Sequence, residues 1–201
     1  YGNGKQRIAL LFNHEVDGIV SLLGAVKTGN IYIPLDASYP AERLKYMLDD
    51  AACRLILTNS ENYQLSARLS AAGKNEIDII NIDDIDYQGE IELEAVETSV
   101  EDPAYILYTS GSTGNPKGVI QSYKNILHFS RIFINQMKMD QNDKLALTTS
   151  LSHTVGVIDL FSSLLSSTTV CMYDVMQDAG IAGLQDYIKE KPEFIELEKK
   201  S

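Results

Sequence analysis

Short apolar runs of strand length alternate along this chain with stretches whose apolar residues recur at helical spacing, and this alternation is the strongest constraint on its fold. Arg7–Phe12 is an apolar run suited to a buried strand. Residues 15–27 follow with Val16, Ile19, Val20, Leu23 and Val26 at helical spacing, closed by Gly29 as a C-terminal stop. Residues 31–35 read as the next strand. Pro40 stands where the first turn of a helix accepts it, and Leu44, Met47, Leu48 and Ala51 share one apolar face before a strand at 54–58. A helix at 61–72 and a strand at 77–82 continue the pattern. Residues 83–102 are rich in acids and turn formers, which predicts a surface excursion. A strand at 105–108 precedes a helix at 122–137, whose Ile126, Phe129, Ile132, Phe133 and Met137 keep helical spacing. Strands at 144–148 and 168–173 flank a helix at 157–165, and a last helix is expected at 181–191. The expected fold class is α/β, a mainly parallel sheet covered by helices, with ligands gathering beyond the carboxyl ends of the strands.

Composition narrows the partners. A hydrophobic fraction of 44% over 201 residues fills one ordinary core. Seventeen basic against 28 acidic residues give a net charge of -11, which repels nucleic acid and anionic membrane surfaces. Cys53 and Cys171 lie far apart in strand-like apolar runs, so both read as buried thiols of a reducing compartment and not as a disulfide framework or metal site. No apolar stretch reaches the ~20 residues of a membrane span, and no signal segment opens the chain, so the expected location is the cytoplasm. The first residue is Tyr1 and residues 191–201 form a polar tail, which raises the expectation of a piece cut from a longer protein.

The segment with chemistry is Thr109-Ser110-Gly111-Ser112-Thr113-Gly114-Asn115-Pro116-Lys117-Gly118. Its glycines let backbone N–H groups converge on phosphate oxygens, since they permit positive φ and close approach. Thr109, Ser110, Ser112 and Thr113 add four hydroxyls, Lys117 adds the compact cation that a polyphosphate needs, and Pro116 stiffens the return. The pattern is not G-x-x-x-x-G-K-[ST], because Pro116 replaces the second glycine and Gly118 the magnesium-binding hydroxyl. An ordinary phosphate-loop NTPase is therefore disfavoured. A flexible serine-glycine linker is a poor alternative, because the loop is expected directly between a buried strand and an amphipathic helix.

Residues 104–119, read as a unit, resemble the phosphate-loop signature of the adenylate-forming (AMP-binding) superfamily, which includes nonribosomal peptide synthetase adenylation domains, acyl-CoA synthetases and luciferases. A second segment, Val26-Lys27-Thr28-Gly29-Asn30-Ile31-Tyr32-Ile33-Pro34-Leu35-Asp36 followed by Tyr39-Pro40-Ala41-Glu42-Arg43-Leu44, looks like the peptide-synthetase branch. Packing of a helix, a strand and a proline-led helix would produce the same residues. The resemblance implies attack of a substrate carboxylate on the α-phosphorus of ATP, loss of pyrophosphate, and capture of the acyl group by a carrier-protein or coenzyme A thiol. It implies that Thr109, Ser110, Gly111, Ser112, Thr113, Gly114 and Lys117 hold the ATP phosphates, with Mg2+ arriving alongside the nucleotide and no metal ligand assigned in the chain.

A third segment, Ser150-Leu151-Ser152-His153-Thr154-Val155-Gly156-Val157-Ile158-Asp159-Leu160-Phe161, occupies the place of the family's acyl-pocket segment. Amino-acid-activating relatives carry an aromatic and an aspartate where His153 and Thr154 stand, and Thr154 cannot neutralise an ammonium. The His-x-x-Gly spacing is similar to acyl- and aryl-CoA synthetases, where a histidine lines the pocket near the carboxylate. Equally, His153 could cap a helix that begins near Val155. Asp159 reads as solvated or capping. The resemblance makes 1–190 part of a large N-terminal adenylation domain and places the family's magnesium carboxylate, ribose aspartate and catalytic lysine outside this chain, which is then expected to be inactive alone. The other class considered is a non-catalytic nucleotide- or partner-binding remnant of such an enzyme.

Overall fold

A computed structural model describes residues 5–86, 96–110 and 115–174, together with the backbone of Phe194–Ile195. The chain divides into two compact units, Tyr1–Tyr123 and Lys124–Ser201. The expected helix at 181–191 and the polar tail lie outside the described residues.

In the first unit the strands are β1 (Arg7–Phe12), β2 (Ile31–Asp36), β3 (Leu55–Thr58), β4 (Asp78–Asn81), β5 (Pro103–Thr109) and β6 (Lys117–Ser122). Helices α1 (Val16–Lys27), α2 (Ala41–Asp50) and α3 (Tyr63–Ala72) form the crossovers, and a short 3-10 turn, Ile82–Asp84, follows β4. The sheet order is β4-β3-β1-β2-β5-β6, parallel except for the last, antiparallel pair. Strand β1 lies inside the sheet with Ile8 to Phe12 all buried, the continuous apolar reading of a parallel strand covered on both faces. Each such fully buried aliphatic side chain contributes about 1.5–3 kcal/mol. The α2 face is the expected one: Leu44, Met47, Leu48 and Ala51 pack with Ala9, Leu11, Ile33 and Ile56. Between β2 and β5, Tyr32 and Tyr105 stack with ring centroids 5.4 Å apart.

Two features differ from the sequence expectation. Helix α1 buries Gly18, Ile19, Ser21, Leu22 and Ala25, while Val20 is 51% exposed. The helix is apolar on more than one face, so spacing alone left the choice open; small residues at 18, 21 and 25 allow the closer approach to β1 and β2. Residues 117–122, expected to lead directly into a helix, instead form β6, paired along its length with β5. A six-residue stretch starting with lysine and glycine carries too little alternation to announce a strand, and its pairing with β5 supplies the missing ladder.

The second unit contains α4 (Tyr123–Met137, bar its first residue), β7 (Lys144–Leu147), α5 (Thr154–Ser166), β8 (Thr169–Met172) and β9 (Phe194–Ile195). Its sheet runs β7-β8-β9, with β7 and β8 parallel and β9 antiparallel to β8. Leu147, Val157, Leu160, Val170, Cys171 and Tyr173 are buried. Of the expected α4 face, Ile126 is buried but Phe129 and Met137 stand exposed. Cys53 and Cys171 are both free and buried, as read from the sequence, and burial pushes the Cys53 thiol up to about 12. No helix among the described residues is long and apolar enough to cross a membrane.

Candidate active site

The glycine loop leaves the carboxyl end of β5, a strand that pairs in parallel with β2, so it sits where open α/β sheets gather ligands. The antiparallel register of β5 and β6 puts Thr109 opposite Lys117 and Tyr108 opposite Gly118. Thr109, Ser110, Asn115 and Lys117 are all exposed at the mouth of the loop. Among the described residues no carboxylate forms a salt bridge with Lys117. Gly111, Ser112, Thr113 and Gly114 lie outside the described residues.

Gly118 corrects one sequence inference. Its φ is not positive; a Cβ there would meet Ile106 Cγ2 at 3.1 Å and Tyr108 Cζ at 3.2 Å. The glycine is required by the Tyr108 ring across the ladder, not by a turn. The Tyr108 hydroxyl donates to Asp50 Oδ2 at 2.8 Å, with the Met47 carbonyl 3.2 Å away, which ties the root of the loop to the end of α2. Burial and the Asp50 charge together hold that phenol far above its ordinary range. Asp50 was not singled out from the sequence; it is an acid in a helix's last turn, and only the fold brings Tyr108, 58 residues away, to it.

The donor set at the loop mouth, one ammonium with hydroxyls and no acid, fits the phosphates of ATP. Among the described residues no group of three His, Cys, Asp or Glu could hold a metal ion.

The acyl-pocket segment belongs to the second unit. His153 occupies the N-cap position of α5 with extended φ and ψ of -120° and 146°, yet its side chain makes no capping hydrogen bond. The capping explanation of His153 is therefore set aside. Its Nδ1 instead lies 3.1 Å from Ser152 Oγ, which lies 3.0 Å from Ser150 Oγ. Thr154, beside it, is the exposed first residue of the helix. A Cβ on Gly156 would sit 2.5 Å from the Thr149 carbonyl oxygen and 2.6 Å from that of Ser150, so the His-x-x-Gly spacing has a packing cause: α5 begins pressed against the 149–150 backbone. Asp159, expected to be solvated or capping, is partly buried within α5, and desolvation raises its carboxyl pKa.

A profile of the AMP-binding enzyme family matches residues 2–197. Gramicidin S synthase 1 of Brevibacillus brevis is 30% identical over 193 residues, which cover 94% of this chain and 17% of that protein. The chain thus spans about a sixth of that relative's length. A fatty acyl CoA synthetase of Mycobacterium tuberculosis shares the fold with a TM-score of 0.75 at 21% identity, covering 86% of this chain and 36% of that one. ATP-bound MatB of Rhodopseudomonas palustris shares it at 0.74 and 21% identity, covering 93% and 38%. The glycine loop at a strand's carboxyl end and a family match over nearly the whole chain lead to one assignment: this chain belongs to the AMP-binding enzyme family.

Proposed function

We propose that this chain supplies the phosphate-binding part, and one wall of the acid pocket, of an enzyme that activates a carboxylic or amino acid with ATP as an acyl-adenylate. The observation that carries the reading is the exposed Thr109–Lys117 pair at the mouth of the glycine loop. ATP supplies the adenylyl group, with pyrophosphate leaving as the carboxylate attacks the α-phosphorus. Lys117 neutralises phosphate charge, and Thr109 and Ser110 donate hydroxyl hydrogen bonds; Gly111, Ser112, Thr113 and Gly114 complete the cradle. Such a displacement depends on fixed charge and orientation more than on a protein nucleophile.

His153, exposed at the start of α5, faces the acid, and Thr154 beside it brings no charge for an α-ammonium. That favours an acid without an α-amino group, although the sequence similarity is to a peptide synthase. The acyl group then passes to a carrier-protein or coenzyme A thiol. Two free buried cysteines suit a cytoplasmic setting. Residues 1–190 form part of a large adenylation domain, and the chain alone does not complete the reaction.

ATP–pyrophosphate exchange with a panel of carboxylates tests this. The full-length protein exchanges, Lys117→Ala lowers the rate about 10²–10³-fold, the scale of losing one preorganised donor, and the 201-residue chain alone gives none. Exchange by the chain alone would overturn the last point. ATP at one hundred times its Kd should stabilise the full-length protein by ~2.7 kcal/mol. No stabilisation, and no exchange, would instead support a non-catalytic remnant.

A further inference from the structure

The carboxyl end of β5 carries Thr109 and needs lateral support that the sheet itself gives sparingly. Among the described residues, β2 and β5 are in register at Tyr32 and Tyr105 alone, and β5 runs four residues past that pair to Thr109. On its other side lies β6, the last strand in the sheet order, with Val119 and Ile120 exposed. An edge strand takes its position from its one neighbour. Whatever fixes the end of β5 therefore also fixes Lys117, the partner of Thr109 across the ladder.

The last turn of α2 is the fixed point. Leu44, Met47 and Leu48 seat that helix in the core. Arg7 Nη1 donates to the Ala51 carbonyl at 2.9 Å, and the Asp49 carboxylate accepts from Lys45 Nζ at 2.9 Å and from the Lys74 backbone N–H at 2.8 Å. Asp50 stands between these anchors and takes the Tyr108 hydroxyl at 2.8 Å. The direction of this bond is set by chemistry: the Asp50 carboxylate and the Met47 carbonyl, 3.2 Å from the same hydroxyl, both accept, so the phenol donates. Side chains alternate along a strand, so Tyr108 is buried in the core while Thr109 is exposed. The Tyr108 ring also presses on Gly118, next to Lys117, where a Cβ would come within 3.2 Å of it.

We propose that Tyr108 is a positioning residue for the phosphates of ATP: its hydroxyl, held by Asp50, sets where Thr109 and Lys117 stand at the mouth of the glycine loop. The proposal rests on the phosphate-binding reading given above. Without the bond, the end of β5 and the β6 edge paired with it shift together, and both donors leave their places at once. Donors placed in advance bind without a further ordering cost, so loosening them weakens phosphate binding although neither is removed.

The test is titration calorimetry of the full-length protein with ATP and Mg2+ and, separately, with AMP. Tyr108→Phe should raise Kd for ATP about 2–10-fold, the worth of one hydrogen bond, and leave Kd for AMP, with one phosphate in place of three, unchanged. Asp50→Ala should match it, whereas Asp50→Asn, whose amide oxygen still accepts from the phenol, should keep the Kd of the unaltered protein. The double variant Tyr108→Phe with Asp50→Ala should bind no more weakly than either alone, since both remove one bond. Leu48→Val, at a 1% exposed position of α2, costs stability without touching the tie and should leave both Kd values as they are. Asp50 is exposed, so Asp50→Ala reads the same tie should Tyr108→Phe fail to fold. An unchanged Kd for ATP in a folded variant, an equal loss for ATP and AMP, or additive losses in the double variant overturns the proposal. The underlying reading fails separately: Lys117→Ala without effect on Kd for ATP would take the loop off the phosphates, while a weakened Lys117→Ala beside an unaffected Tyr108→Phe would reject the tie alone.

Discussion

At Gly156 the chain has no room for even a methyl group, since the added carbon would lie 2.5 Å from Thr149 O and 2.6 Å from Ser150 O, both backbone atoms. Neither neighbour can rotate aside, so Gly156→Ala must displace the start of α5 or the turn before it. The expected cost is about 3 kcal/mol or more, read as a lower urea midpoint. Tyr108→Phe is milder, because the ring keeps its place over Gly118 and only the hydroxyl bond to Asp50 is lost. About 1 kcal/mol is expected there. A stability equal to the unaltered chain would show that the phenol does not secure the loop root. These two glycines also show how sequence motifs hide their causes. Gly118 reads as part of a phosphate loop and serves a tyrosine; Gly156 reads as half of a histidine motif and serves a backbone contact. Both contacts are made across a turn or ladder, which no linear spacing displays.

Helix α1 ends in a Schellman motif, with Gly29 N–H donating to Val26 O and Asn30 N–H to Ala25 O at 3.0 and 2.9 Å. Gly29 takes φ +66°, and a Cβ there would come within 2.9 Å of Val96 Cγ1. Gly29→Ala should therefore cost at least the ~1–2 kcal/mol of a left-handed alanine, visible as a lower thermal midpoint. That glycine was legible as a helix stop because its role is local. The strands β1, β2 and β3 and the face of α2 were legible for the same reason: burial on both sides or on one face leaves a continuous or periodic apolar record. β6 was not, since an edge strand is defined by its partner β5 and its own Val119 and Ile120 remain exposed. The buried face of α1 was also hidden, because its valines and leucines surround the helix and only packing selects among them. The Tyr108–Asp50 tie and the Ser150, Ser152 and His153 contacts depend on neighbours that folding supplies, so no linear spacing displays them.

Over the whole molecule the balance of charge is acidic, with a net -11 and an isoelectric point near 4.6, so mild acidification relieves self-repulsion. The carboxyls with shifted pKa values divide by sign. Burial raises Glu15 above its ordinary 4.5, reinforced by Asp17 and Glu61 nearby and opposed by hydrogen bonds from Asn13 and Asn59; burial likewise raises Asp159 above 3.8. A raised folded pKa means that the native state binds more protons than the unfolded chain, so stability is present below the unfolded value and falls as pH rises through the folded one. Asp83 and Asp102 have the opposite sign. The Ser60 hydroxyl and N–H lower Asp83, and the Ser99 N–H and Lys5 lower Asp102, so their contribution is present above 3.8 and is lost as pH drops further. Urea unfolding followed from neutrality downward should therefore show stability rising as pH falls toward the isoelectric point, then declining below about 3.8. Glu15→Gln isolates the Glu15 share of the first limb, because the amide oxygen can still accept from Asn13 N–H and Asn59 Nδ2 while carrying no charge. That variant should flatten the rise above 4.5 and leave the acid limb in place. An unchanged slope in Glu15→Gln would assign the rise to Asp159 and overall charge repulsion and not to the partly buried Glu15 carboxyl.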